Sequence, residues 1–355
     1  MESLSEKLPG IIIGGGVFNT QMNDDPLKLP IVDIIDRAFQ YGANAIDTSP
    51  YYGPSEELIG KALVHEKLAK YNRSDYILMT KAGRIGIDQF DYSKEWIEKS
   101  VRRSLERLHT DYLDCVYCHD VEFVTKDEVL EAVSTLFRLK REGVVHNVGI
   151  SAYPPEVISN LIPAIVDKCG QAPDVVQSYA HFNLQNTRLD AHLDKWRAAG
   201  VSCVINSSPL NMGLLSGRPA ADFHLAPIGL REKAMEAAQY CIDNGVTLPD
   251  IALKFVIGKY NAIADRNGGG FVISGISFVE ELESVVKAYS EFLKPIEPSA
   301  MGPVKKVGKR TEMRLDQDRL QSYQELFDNV RNVFGEWLEV GWESPPPGFQ
   351  RRPVQ

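Results

Sequence analysis

Ala43-Asn44-Ala45-Ile46-Asp47-Thr48-Ser49-Pro50-Tyr51-Tyr52-Gly53-Pro54-Ser55-Glu56-Glu57-Leu58 holds the unit that organises the whole chain. A short apolar run leads into a turn-rich loop, and the loop into the start of an amphipathic helix. Ala43–Asp47 is brief and lacks the strict alternation of a half-exposed strand, as a strand covered on both faces does. Pro50, Gly53 and Pro54 interrupt the chain, and Ser55 ahead of Glu56-Glu57 reads as a helix cap. Working outward, similar runs rich in Ile and Val lie at Gly10–Gly16, Tyr76–Lys81, Leu113–His119, Val144–Ser151, Asp174–Ser178, Val201–Ser207 and Gly270–Ser274. Helical patterns separate them, among them Ile31–Tyr41, Trp96–Leu108 (opened by Ser93) and Lys126–Arg141. The longest step, Val201 to Gly270, holds two helices, Leu230–Asn244 and Leu248–Tyr260. Eight βα units predict an α/β fold, a closed (β/α)8 TIM barrel whose site gathers at the C-terminal strand ends. A doubly wound open sheet with a second domain is the rival. No Pro/Gly/Ser linker divides the first 290 residues, which favours the barrel.

The barrel is assigned to residues 8–292, and residues 293–355 to a C-terminal extension packed on it. That extension begins with a Pro-rich, basic connection from Pro295 to Arg310, read as an exposed linker in preference to a lid. A helix is expected from Leu315 to Trp337, with Leu320, Tyr323, Leu326, Phe327, Val330, Val333 and Phe334 as its apolar face. Pro345-Pro346-Pro347-Gly348 to Gln355 reads as extended or frayed.

Bulk properties exclude several functions. With 355 residues, 44% hydrophobic and 25% charged, the chain can bury a large core. Its net charge of −9, without a basic stripe, speaks against nucleic acid. The polar start is no signal peptide, and no apolar run reaches the ~20 residues of a membrane helix. Five scattered cysteines suggest free thiols in the cytoplasm. Cys115 and Cys118 have CxxC spacing, but a strand turns them to opposite faces, so no metal or redox centre is expected. A monomer or small homo-oligomer is expected.

Four ionisable residues carry the chemistry. Asp47, Lys81 and His119 each end a strand, and Tyr52 lies five residues past Asp47. Taken singly, Asp47 could be a helix cap, Lys81 a surface charge and His119 a core imidazole. Converging from neighbouring strand ends, they form an acid–base constellation. Lys81 would lower the Tyr52 phenol toward a usable range, Asp47 would hold Lys81, and His119 would orient the reacting oxygen. Gly14-Gly15-Gly16 is no dinucleotide fingerprint, since Asn19 replaces the third glycine and no helix follows.

The run Asn44 to Gly60, with Asp47 and Tyr52 five apart, resembles the first signature of the aldo-keto reductases. Met79-Thr80-Lys81 and Asp111-Tyr112-Leu113-Asp114 leading to His119 are similar to the segments bearing that family's lysine and histidine. Val148-Gly149-Ile150-Ser151 and Ser208-Pro209-Leu210 with Gly213-Leu214-Leu215 follow in order, so the likeness runs over residues 8 to 290. The resemblance implies hydride transfer with a nicotinamide cofactor and Tyr52 as general acid or base. His119-Asp120-Val121-Glu122-Phe123 and Asn206 to Leu215 look most like the group that oxidises C1 of D-arabinose or L-galactose with NAD, implying a small sugar as substrate. Cofactor contacts carried over are Gly15, Gly16, Ser151, Gln177 or Tyr179, Ser208, Leu210, Gly213, Ser274, Ser277 and Glu281.

Departures from the family pattern are informative. Ser151-Ala152 replaces a Ser-Asn pair, and Ser207 stands where an aromatic residue often stacks on nicotinamide. A lysine and an arginine that clamp the adenosine 2′-phosphate in other members are Gly275 and Glu281 here, which favours NAD over NADP. Glu280 and Glu281 also suit the first turn of a helix for dipolar reasons alone. A general aldehyde or ketone reductase, a non-catalytic nicotinamide-binding subunit and a Lys81 Schiff-base enzyme are the competing readings.

Overall fold

A computed structural model describes residues 3–298 and 304–354. All eight apolar runs form strands: β1 (Ile11–Gly14), β2 (Ala45–Asp47), β3 (Ile77–Ala82), β4 (Cys115–His119), β5 (Val148–Ala152), β6 (Val175–Tyr179), β7 (Cys203–Ser207) and β8 (Phe271–Gly275). They are parallel, follow one another in chain order, and close by pairing β1 with β8, Ile11 opposite Val272 and Gly14 opposite Gly275. This is the (β/α)8 barrel.

Strand alternation divides the core in two. Inward residues Ile12, Ala45, Ile77, Met79, Cys115, Tyr117, Val175, Cys203, Ile205, Phe271 and Ile273 fill the lumen. Leu4 and Leu8 join them as a plug where the strands begin. Outward residues such as Ile13, Ile46, Val116, Cys118 and Val204 pack under the helices. Cys115 and Cys118 thus face opposite sides of β4, and all five cysteines are free. Gly149 on β5 is required by the same packing: a Cβ there would sit 2.3 Å from the Tyr117 ring.

The helices match the amphipathic runs, with Ile31–Tyr41, Lys94–Leu108 and Lys126–Arg141 covering the first half of the barrel. Ser93 caps as expected, accepting from the Trp96 amide. Ser55 does not: Pro54 holds the cap position, and the Ser55 hydroxyl turns inward to Gly15 O (2.9 Å) and Thr48 Oγ1 (2.8 Å). A polar side chain that finds two buried partners is worth more there than at a solvated helix start.

The extension also departs from expectation. Met313–Leu315 pairs antiparallel with Leu293–Pro295, so Leu315 is strand and not helix. The expected helix breaks at Tyr323 into Gln317–Ser322 and Gln324–Val333, followed by a 3₁₀ turn, Gly335–Trp337. Its apolar stripe still buries Leu320, Phe327, Val330 and Phe334. Of the basic connection, residues 299–303 lie outside the described residues, and residues 304–310 are neither lid nor free linker. The amides of Lys306 and Val307 donate to Tyr41 O, Gly308 O accepts from Gly10 N, and Val307 is fully buried, all at the strand-start end.

The last described residues, up to Val354, are extended but far from frayed. Gln185 takes Trp337 O and Val340 O through its Nε2 (2.7 and 2.9 Å). Trp342 then stacks on Tyr153 (centroids 4.7 Å, 21° between planes), and Ser344 donates to Glu122 (2.9 Å). Phe349 packs on Phe90 and Phe123, and Arg352 pairs with Asp88. The tail is a strap running from the β6 loop to the β3 loop across the C-terminal rim.

Candidate active site

Period-two alternation builds the site directly on the core. Asp47, Lys81, His119 and Gln177 each lie two residues past a lumen residue: Ala45, Met79, Tyr117 and Val175. They therefore form the layer above the apolar filling. Lys81 Nζ donates to Asp47 Oδ1 (2.5 Å) and Thr48 O (3.0 Å), and lies 4.9 Å from the Tyr52 ring centre. The Lys81 and Asp47 side chains are 2% and 3% exposed. Tyr52 stands edge-on to His119, 5.6 Å between centroids and 88° between planes. All four residues singled out in the sequence meet.

Burial sets their proton affinities. It raises Asp47, against the pull of Lys81. On Lys81, burial is outweighed by Asp47 and Tyr52 together, which lift the ammonium above its ordinary value. Tyr52 corrects the sequence expectation. Burial raises its phenol above the ordinary value, and Lys81 only pulls it part of the way back. His119 is driven down to about 3 by burial and is neutral.

The loop after β2 holds Tyr52 by small contacts. Gly15 could not carry a side chain, since a Cβ would lie 2.6 Å from Ser55 Oγ, the hydroxyl bonded to its carbonyl. Gly16 faces the Tyr52 ring at van der Waals distance (3.6 Å from its Cβ position).

Other sequence candidates divide by position. Gln177 is inward and buried, its amide turned to Asp47, and its Oε1 has no partner. Ser151, opposite Gln177 in the register, is buried with two long contacts, accepting from Asp120 N (3.4 Å) and donating to Cys118 O (3.4 Å). Tyr179 lies higher, opposite Ser207 and 5.4 Å from the Tyr153 ring. Ser208 spends its hydroxyl on the Met212 amide (2.6 Å) in a loop where Ser208, Asn211, Met212 and Gly213 all have positive φ. Leu210 is half-buried there. Ser274 alternates with the lumen residue Ile273 and so turns to the helix side of β8, away from this layer. Ser277 Oγ accepts from Asn23 Nδ2 (3.0 Å), while Glu281 accepts the Ser277 amide (2.7 Å) at the start of helix Val279–Phe292.

Sequence reasoning missed a second polar group beside His119. Asp120 has a positive φ of 59° and is buried, with Oδ2 at 3.6 Å from His119 Nε2. Arg84 pairs with Asp120, donates to Tyr51 OH (3.0 Å) and lies over the Tyr51 ring (3.9 Å). Position gave the only signal: Asp120 follows His119, and Arg84 is three past Lys81. Glu122 is a further buried carboxyl, raised to about 8 by burial and by Asp120, with Oε1 accepting from Tyr153 N (3.1 Å) and Ser344.

A parallel barrel bearing an Asp–Tyr–Lys–His cluster at its C-terminal rim defines a class of barrel oxidoreductases. The chain belongs to the aldo/keto reductase family, whose sequence model matches residues 10–305. It is an oxidoreductase of a family that works with nicotinamide cofactors. D-arabinose 1-dehydrogenase of Saccharomyces cerevisiae is 42% identical over 286 residues, 79% of this chain and 82% of that one. L-galactose dehydrogenase of Arabidopsis thaliana is 31% identical over 322 residues, 90% of this chain and 89% of that one. Among solved structures, a holo aldo-keto reductase from Bacillus halodurans is similar (TM-score 0.59, 25% identity) over 79% of this chain and 86% of that one.

Proposed function

We propose that this protein is an NAD-dependent aldose 1-dehydrogenase that oxidises the anomeric carbon of a free sugar of the D-arabinose, L-galactose or L-fucose type to the lactone. The observation that carries the chemistry is the buried Lys81–Asp47 pair set against the Tyr52 ring. The sugar assignment is supported by the names of the two relatives, both sugar dehydrogenases.

The residues fit a nicotinamide. An acceptor buried without a partner costs roughly 1–3 kcal/mol, and Gln177 Oε1 is such an atom in the layer of Asp47 and Lys81. A carboxamide N–H would satisfy it, with Ser151 alongside. When bound, the nicotinamide accepts a hydride from the sugar. Tyr52 takes the proton of the C1 hydroxyl as its phenolate, Lys81 stabilises that phenolate, and Asp47 keeps Lys81 charged and in place. His119, neutral, donates a hydrogen bond to the same oxygen. Glu281, already a helix-start acceptor, would repel a 2′-phosphate at the β8 rim.

The test is a panel of free pentoses and hexoses with NAD and with NADP, followed by absorbance of the reduced cofactor. Oxidation of at least one such sugar, faster with NAD, is expected. Turnover restricted to simple aldehydes, or a preference for NADP, would contradict the proposal.

A further inference from the structure

His119 matters only if its single proton is on the right nitrogen, and the loop after β2 decides which. Ser49 is fully buried. Its Oγ already accepts from the Tyr51 amide (3.1 Å) and lies 3.0 Å from His119 Nδ1. The Tyr51 amide takes one lone pair of this hydroxyl, and Nδ1 is the one acceptor found for its buried hydrogen among the described residues, so that hydrogen is satisfied only if it points at Nδ1. Nδ1 must then be the unprotonated nitrogen of a neutral ring. The proton sits on Nε2, on the side of Asp120, whose Oδ2 at 3.6 Å is too far for a full hydrogen bond. Nε2–H is thereby left free for a ligand oxygen. The Tyr92 hydroxyl on His119 O (2.5 Å) fixes the backbone of the same residue.

We propose that Ser49 is a positioning residue that locks His119 in its Nε2–H tautomer by donating to Nδ1, so that His119 can act as a hydrogen-bond donor to the reacting oxygen. The lock rests on the dehydrogenase reading only for its catalytic consequence. The tautomer itself is a property of the protein without substrate. Ser49 touches neither cofactor nor sugar in this scheme and acts through the imidazole.

The experiment uses the full chain labelled with 15N-histidine. The ring resonances of His119, one of seven histidines, are assigned by their disappearance in His119→Asn. In the wild type, Nδ1 should be of the unprotonated, hydrogen-bonded type and Nε2 of the protonated type at neutral pH. A protonated Nδ1 overturns the proposal whether or not any sugar is turned over, so it fails separately from the assigned activity. In Ser49→Ala the Nδ1 resonance should move toward that of a free or partly protonated nitrogen. The kcat of sugar oxidation should fall about tenfold, the upper end of what one neutral hydrogen bond supplies, with KM nearly unchanged. Ser49→Thr, which keeps the hydroxyl, should restore both signals. An unchanged Nδ1 resonance in Ser49→Ala, or an equal loss in Ser49→Ala and Ser49→Thr with Nδ1 bonded in both, would also overturn it.

Discussion

The rim over β2–β4 and the rim over β8 are built on opposite plans. Over β2–β4, Asp47, Lys81 and His119 are nearly sealed and bonded to one another or to the loops around them. Over β8, Glu281 and Gly275 are exposed, and Glu281 is tied to its own helix start. A charge in a dry, paired site interacts several times more strongly than one in solvent. The same kind of substitution should therefore be severe on one rim and mild on the other.

Lys81→Met should produce the largest effect. It strips the cation from Asp47, whose Oδ2 already lacks a partner, and from Tyr52. Activity should fall by ~10²–10⁴, the range of a lost acid–base function. The fold should also lose roughly 3–5 kcal/mol from the stranded buried carboxylate. Chemical denaturation and steady-state rates measure both. A variant as stable as the wild type would mean that Asp47 is not held as a charge.

Glu122 sharpens the contrast through pH. Its carboxyl is raised from an ordinary 4.5 to about 8 in the folded protein, by burial first and Asp120 second. The folded state thus favours the protonated form, and stability is lost as pH rises from about 4.5 through about 8. Glu122→Gln removes that dependence. Its melting temperature should be close to the wild type's at pH 5 and should exceed it at pH 9, where the wild type carries a buried anion. Melting curves that stay parallel across this window would place Glu122 in water.

The smallest effect is expected on the exposed rim. Glu281→Arg exchanges a repulsive contact for an attractive one at a 2′-phosphate, and screening limits the gain in the NADP/NAD ratio of kcat/KM to about tenfold. Adding Gly275→Lys is not a free improvement, since a Cβ there meets Val17 Cγ1 at 2.5 Å. An unchanged ratio in Glu281→Arg would reduce Glu281 to a helix-start charge.

What could be read in the sequence follows the same division. Short Ile/Val runs announce buried parallel strands, and position at a strand end says which side chains crown the barrel, so Asp47, Tyr52, Lys81 and His119 were legible together. Contacts that depend on tertiary approach were not. Ser55 looks like a cap until Gly15 and Thr48 come within reach. The strap's residues become partners of the rim through Gln185, Tyr153, Glu122, Phe123 and Asp88, which are far away in the chain. Leu315 reads as helix because its strand partner, Leu293, lies across an intervening connection. The sign of the Tyr52 shift needed burial and charge to be weighed together, and burial wins.

The central claim is that Tyr52, beside Lys81, is the group that exchanges the proton, and one comparison tests it most directly. Wild type and Tyr52→Phe are assayed for sugar oxidation with NAD from neutral to alkaline pH, with NAD binding measured in parallel by fluorescence. With its phenol held above the ordinary value, the wild type should gain rate as pH rises and phenolate forms. Tyr52→Phe should lose ~10²–10⁴ in kcat, show no such rise, and bind NAD within a few fold of the wild type. A phenylalanine variant that keeps most of its kcat, or the same alkaline rise, would contradict the account.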